Sequence, residues 1–315
     1  MATTLIRGLL NIRSRHQGCV ITIGNFDGIH LGHQALLKKV KATAEELQVP
    51  SCVVTFEPHP MEFFLKEKVA PRLMRLREKF AAIAEFGIDQ VVVLHFNSHL
   101  ANLSAENFIK LVLTDKLQAK QIIVGEDFHF GKKRTGDIEL LKQAGFKVEG
   151  MLGVSLERER ISSSRVREAL ALGDHALVER LLGRPYTMMG RIVHGDKRGR
   201  IIGFPTANIY LHRAATPVQG VYAVRMHGIT NNPLLGVANV GIRPTVGGTR
   251  SLLEVHLFDF NQDIYGRYVR VEFCKKLRNE ERYANLDLLK QQIFKDAEKA
   301  REYFANESSK KASKP

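Results

Sequence analysis

Three small sets of residues have the types and spacing for phosphate chemistry. His30 and His33 stand three apart in Gly24-Asn25-Phe26-Asp27-Gly28-Ile29-His30-Leu31-Gly32-His33, where an apolar run ends and a helical pattern begins. Two imidazoles on one helical face offer donors to the oxygens of a polyphosphate, and the N–H groups that open a helix favour anions. Gly24, Gly28 and Gly32 let the backbone come close to a bulky ligand, so Gly24, Phe26, Asp27 and Gly28 join the histidines as nucleotide- and phosphate-binding candidates. The same stretch also reads as a helix cap with two solvated histidines. The second set is Thr206 and Asn208, two apart in the rigid Phe204-Pro205-Thr206-Ala207-Asn208. In an extended segment their oxygens point to one side, and hard oxygen ligands suit Mg²⁺, which takes substrate phosphates as further ligands. Just before them, Gly195, Lys197, Gly199 and Gly203 belong to a glycine-rich, positively charged loop able to close over phosphates. The third set is Glu254 with His256, alternating with Leu253, Val255 and Leu257 so that in a strand the polar pair shares a face. A carboxylate there can take the proton of an alcohol attacking a γ-phosphate; the alternation alone also allows a solvated, outward-facing Glu254. A Walker A lysine motif is absent, so the chain is not a P-loop kinase.

Two more loops add to the first set. Residues 125–131, GEDFHFG, include Asp127 and run into Lys132, Lys133 and Arg134, which suits a ring to stack on and a phosphate to neutralise. Residues 161–167, ISSSRVR, bring Ser163, Ser164 and Arg165 to a helix start, a second place where hydroxyls, N–H groups and guanidinium forks match phosphate oxygens. Taken singly, the first is also an ordinary tight loop and the second a serine-rich N-cap with solvated arginines.

These loops need a scaffold. Apolar, β-branched runs recur at 19–23, 51–56, 90–96, 121–124 and 146–151, with helical patterns between them. Continuous apolar strands alternating with helices predict an α/β domain with a doubly wound parallel sheet, whose ligands sit in the crevice at the carboxyl ends of the strands. Beyond the stop signal Gly183-Arg184-Pro185 the pattern changes: alternation at 220–226, 234–240, 251–258 and 268–273, with glycine-rich turns, predicts a small antiparallel β-barrel. A stripe of Leu286, Leu289, Ile293, Ala297, Ala300 and Phe304 predicts a closing helix, and the lysine- and serine-rich residues after Asn306 read as a disordered tail. The expected division is 1–183, 184–306 and a tail at 307–315.

The bulk composition fits. A chain of 315 residues is long for one domain. Cys19, Cys52 and Cys274 sit singly in apolar runs, as buried small hydrophobes in a reducing compartment. No apolar run reaches the ~20 residues of a membrane span, and residues 1–20 lack the apolar core and cleavage site of a signal peptide; the chain reads as cytoplasmic. Lys+Arg number 47 against 33 Asp+Glu, a net charge of +14. The charge is spread along the chain, apart from Lys66, Lys68, Arg72, Arg75 and Arg77 and the tail lysines 310 and 311. With no nucleic-acid-binding signature, small anionic ligands account for it at least as well as a nucleic acid, and neither a nucleic-acid nor a membrane partner is expected.

The first-half motifs, GNFDGIHLGH (24–33), FEPHP (56–60), VGEDFHFG (124–131) and ISSSRVR (161–167), resemble in order the HxGH nucleotidyltransferase superfamily. More closely they resemble the FAD synthetase module of bacterial bifunctional riboflavin kinase/FAD synthetases. His129 stands where that family's pattern has arginine, and Ser164 where threonine is usual. The second half, LLGRPY (181–186), the loop and FPTAN (190–208), GVYAV (220–224), GVANVGIRPTVGG (236–248), EVHLFDF (254–260), DIYG (263–266) and LRNEERY (277–283), is similar to the riboflavin kinase family. The resemblance implies two sequential reactions with ATP as co-substrate and Mg²⁺ as cofactor. Riboflavin's 5′-hydroxyl would attack a γ-phosphate to give FMN, with Glu254 as base and Thr206 and Asn208 holding Mg²⁺. The FMN phosphate would then attack the α-phosphate of a second ATP, giving FAD and pyrophosphate, with His30, His33, Ser164 and Arg165 at that site. Two other readings of the residues stay open at this point: adenylylation of another substrate such as phosphopantetheine or nicotinate mononucleotide, and RNA binding.

Overall fold

In the computed structural model, residues 2–65, 69–195, 203–213, 215–245 and 248–312 are described. They form two compact units, Met1–Ala70 with Met74–Ser163, and Pro71–Leu73 with Ser164–Pro315.

The first unit is built on a six-stranded parallel sheet of β1 (Thr4–Arg7), β2 (Val20–Ile23), β3 (Ser51–Glu57), β4 (Gln90–His95), β5 (Gln121–Gly125) and β6 (Lys147–Met151). Their order is β1-β4-β3-β2-β5-β6, with Ile23 beside Val54 and Ile21 beside both Cys52 and Ile122. Five of the strands are those expected from the apolar runs. Alternate residues of β2 enter two different cores: Cys19, Ile21 and Ile23 pack with Val54 and Ile122, while Val20 packs with Val53 and Ile123. Burial on both faces is why these strands read as unbroken apolar runs. Edge strand β1 was not expected, since only Ile6 of its four residues is buried. From β2 the chain winds outward through β3 and β4, and then returns to place β5 on the other side of β2. The crevice of such a sheet opens where the winding reverses, here at the carboxyl ends of β2 and β5, next to Gly24 and Gly125. Helix α1 (Leu31–Glu46) leaves the crevice directly after β2; α2 (Pro60–Leu65), α3 (Leu76–Ala84), α4 (Ser98–Ala101), α5 (Ala105–Phe108) and α6 (Ile138–Gln143) lie between the later strands, and β7 (Ser155–Leu156), β8 (Glu159–Arg160), α7 (Ser163–Leu172) and α8 (His175–Leu182) follow β6.

The second unit is a closed antiparallel barrel in the order β10-β13-β12-β11-β14-β9. Its strands are β9 (Thr187–Val193), β10 (Ala207–Tyr210), β11 (Gly220–His227), β12 (Leu234–Thr245), β13 (Gly248–Leu257) and β14 (Tyr268–Arg278). Strands β9 and β10 overlap the two ends of the stretch 190–208, which on sequence reads as a glycine loop and a rigid turn. Gly190 is a strand residue because a Cβ there would meet Ile209 Cγ2 at 2.5 Å and Tyr210 O at 2.8 Å; the missing side chain lets two barrel strands close up. Helix α9 (Leu286–Ala312) seals the barrel with Ala297, Ala300 and Phe304, packed on Val221, Ala223 and Val237.

Of the tail expected to be disordered, residues 307–312 continue α9, and 313–315 lie outside the described residues. Glu307 accepts from Arg225 on the barrel wall, and the Ser308 and Ser309 hydroxyls donate to the Phe304 and Ala305 carbonyls at 2.9 and 3.0 Å. The Arg225–Glu307 ion pair holds to the barrel a turn whose composition alone reads as unstructured. Cys19, Cys52 and Cys274 are free thiols, the first two buried and the third half-buried. No described helix is long and apolar enough to cross a membrane.

Arg278 and Asp296 fasten α9 to β14. The guanidinium forks onto the carboxylate, Nε to Oδ1 at 3.0 Å and Nη2 to Oδ2 at 2.8 Å, and Gln292 adds a bond to Oδ1 at 2.9 Å. Asp296 is only 2% exposed, so removing its partner leaves a buried charge unpaired. Arg278→Ala is expected to destabilise the second unit by about 3–5 kcal/mol, read as a lower urea midpoint for the barrel transition; an unchanged midpoint would mean the pair contributes nothing.

Candidate functional site

The turn after β2 is held in an unusual conformation. Phe26 and Ile29 have φ of 48° and 43°, left-handed values that side chains rarely adopt, and Gly28 has φ of 87°. Such residues persist only where surrounding structure over-determines them. Here Phe26 and Ile29 are fully buried, Asp27 Oδ1 accepts the Met74 N–H at 2.9 Å, and Ser163 Oγ donates to the Asp27 carbonyl at 2.8 Å. Asp27 thus fastens the turn from beneath.

His30 is the N-cap of α1, its Nδ1 accepting the His33 N–H at 3.3 Å. With Nδ1 used as an acceptor, the neutral ring carries its proton on Nε2. The two imidazoles stack with centroids 3.7 Å apart at 19°, and Phe26 tilts against His33 at 5.1 Å. Burial, and then the neighbouring His30 and Lys79, hold the His33 pKa well below the usual histidine value, so this ring is neutral. Its Nδ1 is buried and without a hydrogen-bond partner among the described residues. Of the alternative reading, the helix cap holds and the solvated histidines do not: His30 caps α1, is buried, and stacks on His33 at the mouth of the crevice.

That mouth is a cavity of about 380 Å³ bordered by Gly24, Phe26, His30, His33, Asp127 and Ser163. Six of the expected residues therefore meet; Asp27 and Gly28 support the turn and do not border the cavity. Arg160, absent from the sequence reading, also lines it and donates to Asp127 Oδ1 at 2.8 Å. That hydrogen bond and charge keep the Asp127 carboxyl below the usual range.

A second cavity of about 440 Å³ shares Gly24 and Asp127 with the first, and Phe56, Phe64, Phe96 and Phe128 wall it. Phe56 and Phe96 meet edge-to-face at 5.8 Å, while Phe128 and Phe130 stack at 5.5 Å. Sequence reasoning named only the 125–131 aromatics. The missed signal is that Phe56 lies near the end of β3 and Phe96 just after β4, neighbours in a parallel sheet. His129 sits in this wall with its Nδ1 2.9 Å from the Asp127 carbonyl, and Lys133 and Arg134 supply the permanent positive charge.

In the second unit, Glu254 stands directly across from Asn208 of β10 on one side and Asn239 of β12 on the other. Directly opposed residues share a face, so a carboxylate is flanked by two carboxamides on one rung of the barrel. Leu253, Val255 and Leu257 are buried on the other face, as the alternation predicts. Glu254 borders a cavity of about 350 Å³ together with Thr206, Asn239, Phe204, Tyr283 and Ile293. Asn208 is buried just behind, 7% exposed. Gly195 lies so close to its carboxamide that any Cβ would collide with it. Gly203 has φ of 84°, while Lys197 and Gly199 lie outside the described residues. Ser164 and Arg165 open the helix Ser163–Leu172 and belong to the second unit.

Comparison with known proteins gives a consistent picture. The FAD synthetase family matches residues 12–165, and the riboflavin kinase family matches residues 182–304. A bifunctional riboflavin kinase/FMN adenylyltransferase of Haemophilus influenzae is 48% identical over 304 residues, covering 95% of this chain and 99% of the relative. One from Escherichia coli K12 is 49% identical over 305 residues, covering 95% and 97%. Among solved structures, a crystal structure described as a macrolide-efflux protein from Streptococcus pneumoniae aligns with a TM-score of 0.79 at 33% identity, covering 96% of this chain and 99% of that one.

Proposed function

The chain belongs to the family of bifunctional riboflavin kinase/FMN adenylyltransferases, and on that premise we propose which residues carry each of its reactions. The enzyme phosphorylates riboflavin to FMN with ATP, then transfers AMP from ATP to FMN to give FAD and pyrophosphate. Adenylyl transfer is assigned to residues 1–183 and the kinase to residues 184–306, with 307–315 as a tail, helical as far as Ala312.

For adenylyl transfer, the observation that carries the reading is the pair of adjoining cavities sharing Gly24 and Asp127. The aromatic one accepts the flat ring system of FMN, and the histidine-lined one the nucleotide. An FMN phosphate oxygen attacks the α-phosphorus, the bond to the bridging oxygen breaks, and pyrophosphate leaves. FMN is itself the nucleophile, so the protein contributes position and charge stabilisation. His30, through Nε2–H, and His33 donate to phosphate oxygens as charge builds, with Ser163 on the same cavity wall as a further phosphate donor.

For the kinase, Glu254 takes the proton of riboflavin's 5′-hydroxyl as its oxygen attacks the γ-phosphorus and ADP leaves. Mg²⁺ fits the residues present: Thr206 brings a hydroxyl to the cavity wall and Asn208 a carboxamide to the rung of Glu254. Both are hard oxygen donors. Among the described residues no cluster of three or more His, Cys, Asp or Glu could hold a metal, so phosphates and water would complete its shell. When bound, Mg²⁺ neutralises charge on the phosphates. Gly195, Lys197, Gly199 and Gly203 are assigned to binding the ATP phosphates. The enzyme works in the cytoplasm.

Because Gly195 packs on the Asn208 carboxamide, Gly195→Ala displaces that oxygen donor. FMN formation is expected to fall at least about 10-fold, in line with the ~10²-fold cost of small misplacements, while conversion of supplied FMN to FAD stays native. The basic assay incubates the protein with riboflavin, ATP and Mg²⁺ and follows flavins by chromatography: FMN must appear before FAD. FAD forming without FMN, or neither product, would sink the two-reaction assignment.

A further inference from the structure

The rung that carries Glu254 holds one group with no task in the mechanism above. Asn239 is half-buried on β12, directly opposite Glu254 and on the same wall of the 350 Å³ cavity. Its Oδ1 is buried, and among the described residues no donor reaches it. A buried acceptor left unpaired costs about 1–3 kcal/mol, so a position bordering a ligand cavity is explained most simply by a donor that arrives with the ligand. Neither cross-strand neighbour supplies one: Glu254 on one side presents carboxylate oxygens, which accept, and Val221 on the other is hydrocarbon.

ATP phosphates are acceptors as well and would repel this oxygen. The ribityl chain of riboflavin is different. It carries secondary hydroxyls, each a donor, next to the 5′-hydroxyl that Glu254 deprotonates. We propose that Asn239 Oδ1 accepts a hydrogen bond from one secondary hydroxyl of the ribityl chain, and so reads the polyol and holds the 5′-hydroxyl beside Glu254. Asn239 is a specificity and positioning residue, and the inference rests on the kinase reading of this cavity. The cavity has other polar groups, among them Thr206, His256, Arg278, Glu280, Glu281 and Tyr283, beside its apolar side chains; what singles out Asn239 is its buried oxygen with no donor among the described residues.

A site built to bond a hydroxyl rejects the analogue that lacks it, because its own polar group is then left unpaired. The test compares kcat/KM for riboflavin with that for riboflavin analogues each lacking one secondary ribityl hydroxyl, in the wild-type chain and in Asn239→Leu. The wild type is expected to reject one of these analogues about 10- to 100-fold. Asn239→Leu should lose that factor on riboflavin, keep the native rate on that same analogue, and lower the other analogues by the same factor as riboflavin, so that their ratios to riboflavin stay as in the wild type. Native turnover of the analogue also shows that the barrel is folded; if the leucine variant loses every substrate, Asn239→Ala, which adds no bulk, is put through the same comparison. Wild-type indifference to all the analogues, or unchanged discrimination in the variants, overturns the proposal. Glu254→Gln is run alongside: if it retains FMN formation the kinase reading itself fails, whereas its inactivity with undiminished discrimination in the Asn239 variants removes the Asn239 role alone.

Discussion

Glu254→Gln is expected to abolish FMN formation and leave the conversion of supplied FMN to FAD at its native rate. The substitution keeps shape and length. It keeps an oxygen and adds an amide beside the two carboxamides of Asn208 and Asn239, which flank position 254 on neighbouring strands. What it removes is the ability to take a proton. General-base catalysis is worth roughly 10²–10⁴-fold, so kcat should fall by that order while KM for riboflavin moves little. A rise in KM with kcat preserved would mean that Glu254 binds the substrate without acting on it. Equal loss of both activities would overturn the division of labour between the two halves of the chain. The measurement is single-substrate kinetics on each half-reaction, with riboflavin and ATP in one and FMN and ATP in the other.

What could be read from the sequence follows from how local each signal is. The parallel sheet announced itself because strands buried on both faces are apolar at every position, as in β2, whose four residues are all buried. The barrel strands with an apolar inner face were equally plain. Strand β9 was not, because Gly190 and Arg191 interrupt it; the reason Gly190 belongs there is its contact with Ile209 and Tyr210 of β10, a fact about pairing that composition cannot carry. The same holds for the sites. The histidine pair, Thr206 and Glu254 stand in short motifs whose spacing maps directly onto one turn or one strand. Phe56 and Phe96 are 40 positions apart and meet only because β3 and β4 are neighbours. Asn239 joins Glu254 by cross-strand register alone. Asp27, a charged residue inside the motif that holds the histidine pair, accepts the Met74 N–H, a partner 47 positions away that the motif by itself does not show.

The His30→Ala, His33→Ala double variant is expected to stop adenylyl transfer and spare the kinase. Removing one preorganised donor to developing charge costs about 10²–10³-fold, and two donors to one polyphosphate act together. The neutral state of the pair supports this role: two rings stacked at 3.7 Å could not both be charged without strong repulsion, and a neutral imidazole still donates one N–H. His33 Nδ1, buried and unpartnered among the described residues, is the kind of group that stays unsatisfied until a ligand supplies its partner. The alanine at position 30 has a second consequence, because His30 Nδ1 caps α1. Losing a cap costs roughly 1 kcal/mol, which lowers stability without touching the chemistry. His30→Asn separates the two, since asparagine restores a cap acceptor but does not reach the phosphates; it should recover the unfolding midpoint and not the rate. Stopped FAD formation with normal FMN formation from riboflavin is the expected result, read by chromatography of the flavins. If the double variant converts FMN to FAD at the native rate, the histidines serve the turn and the helix, and charge stabilisation must come from Arg160 and Ser163 on the same cavity wall instead.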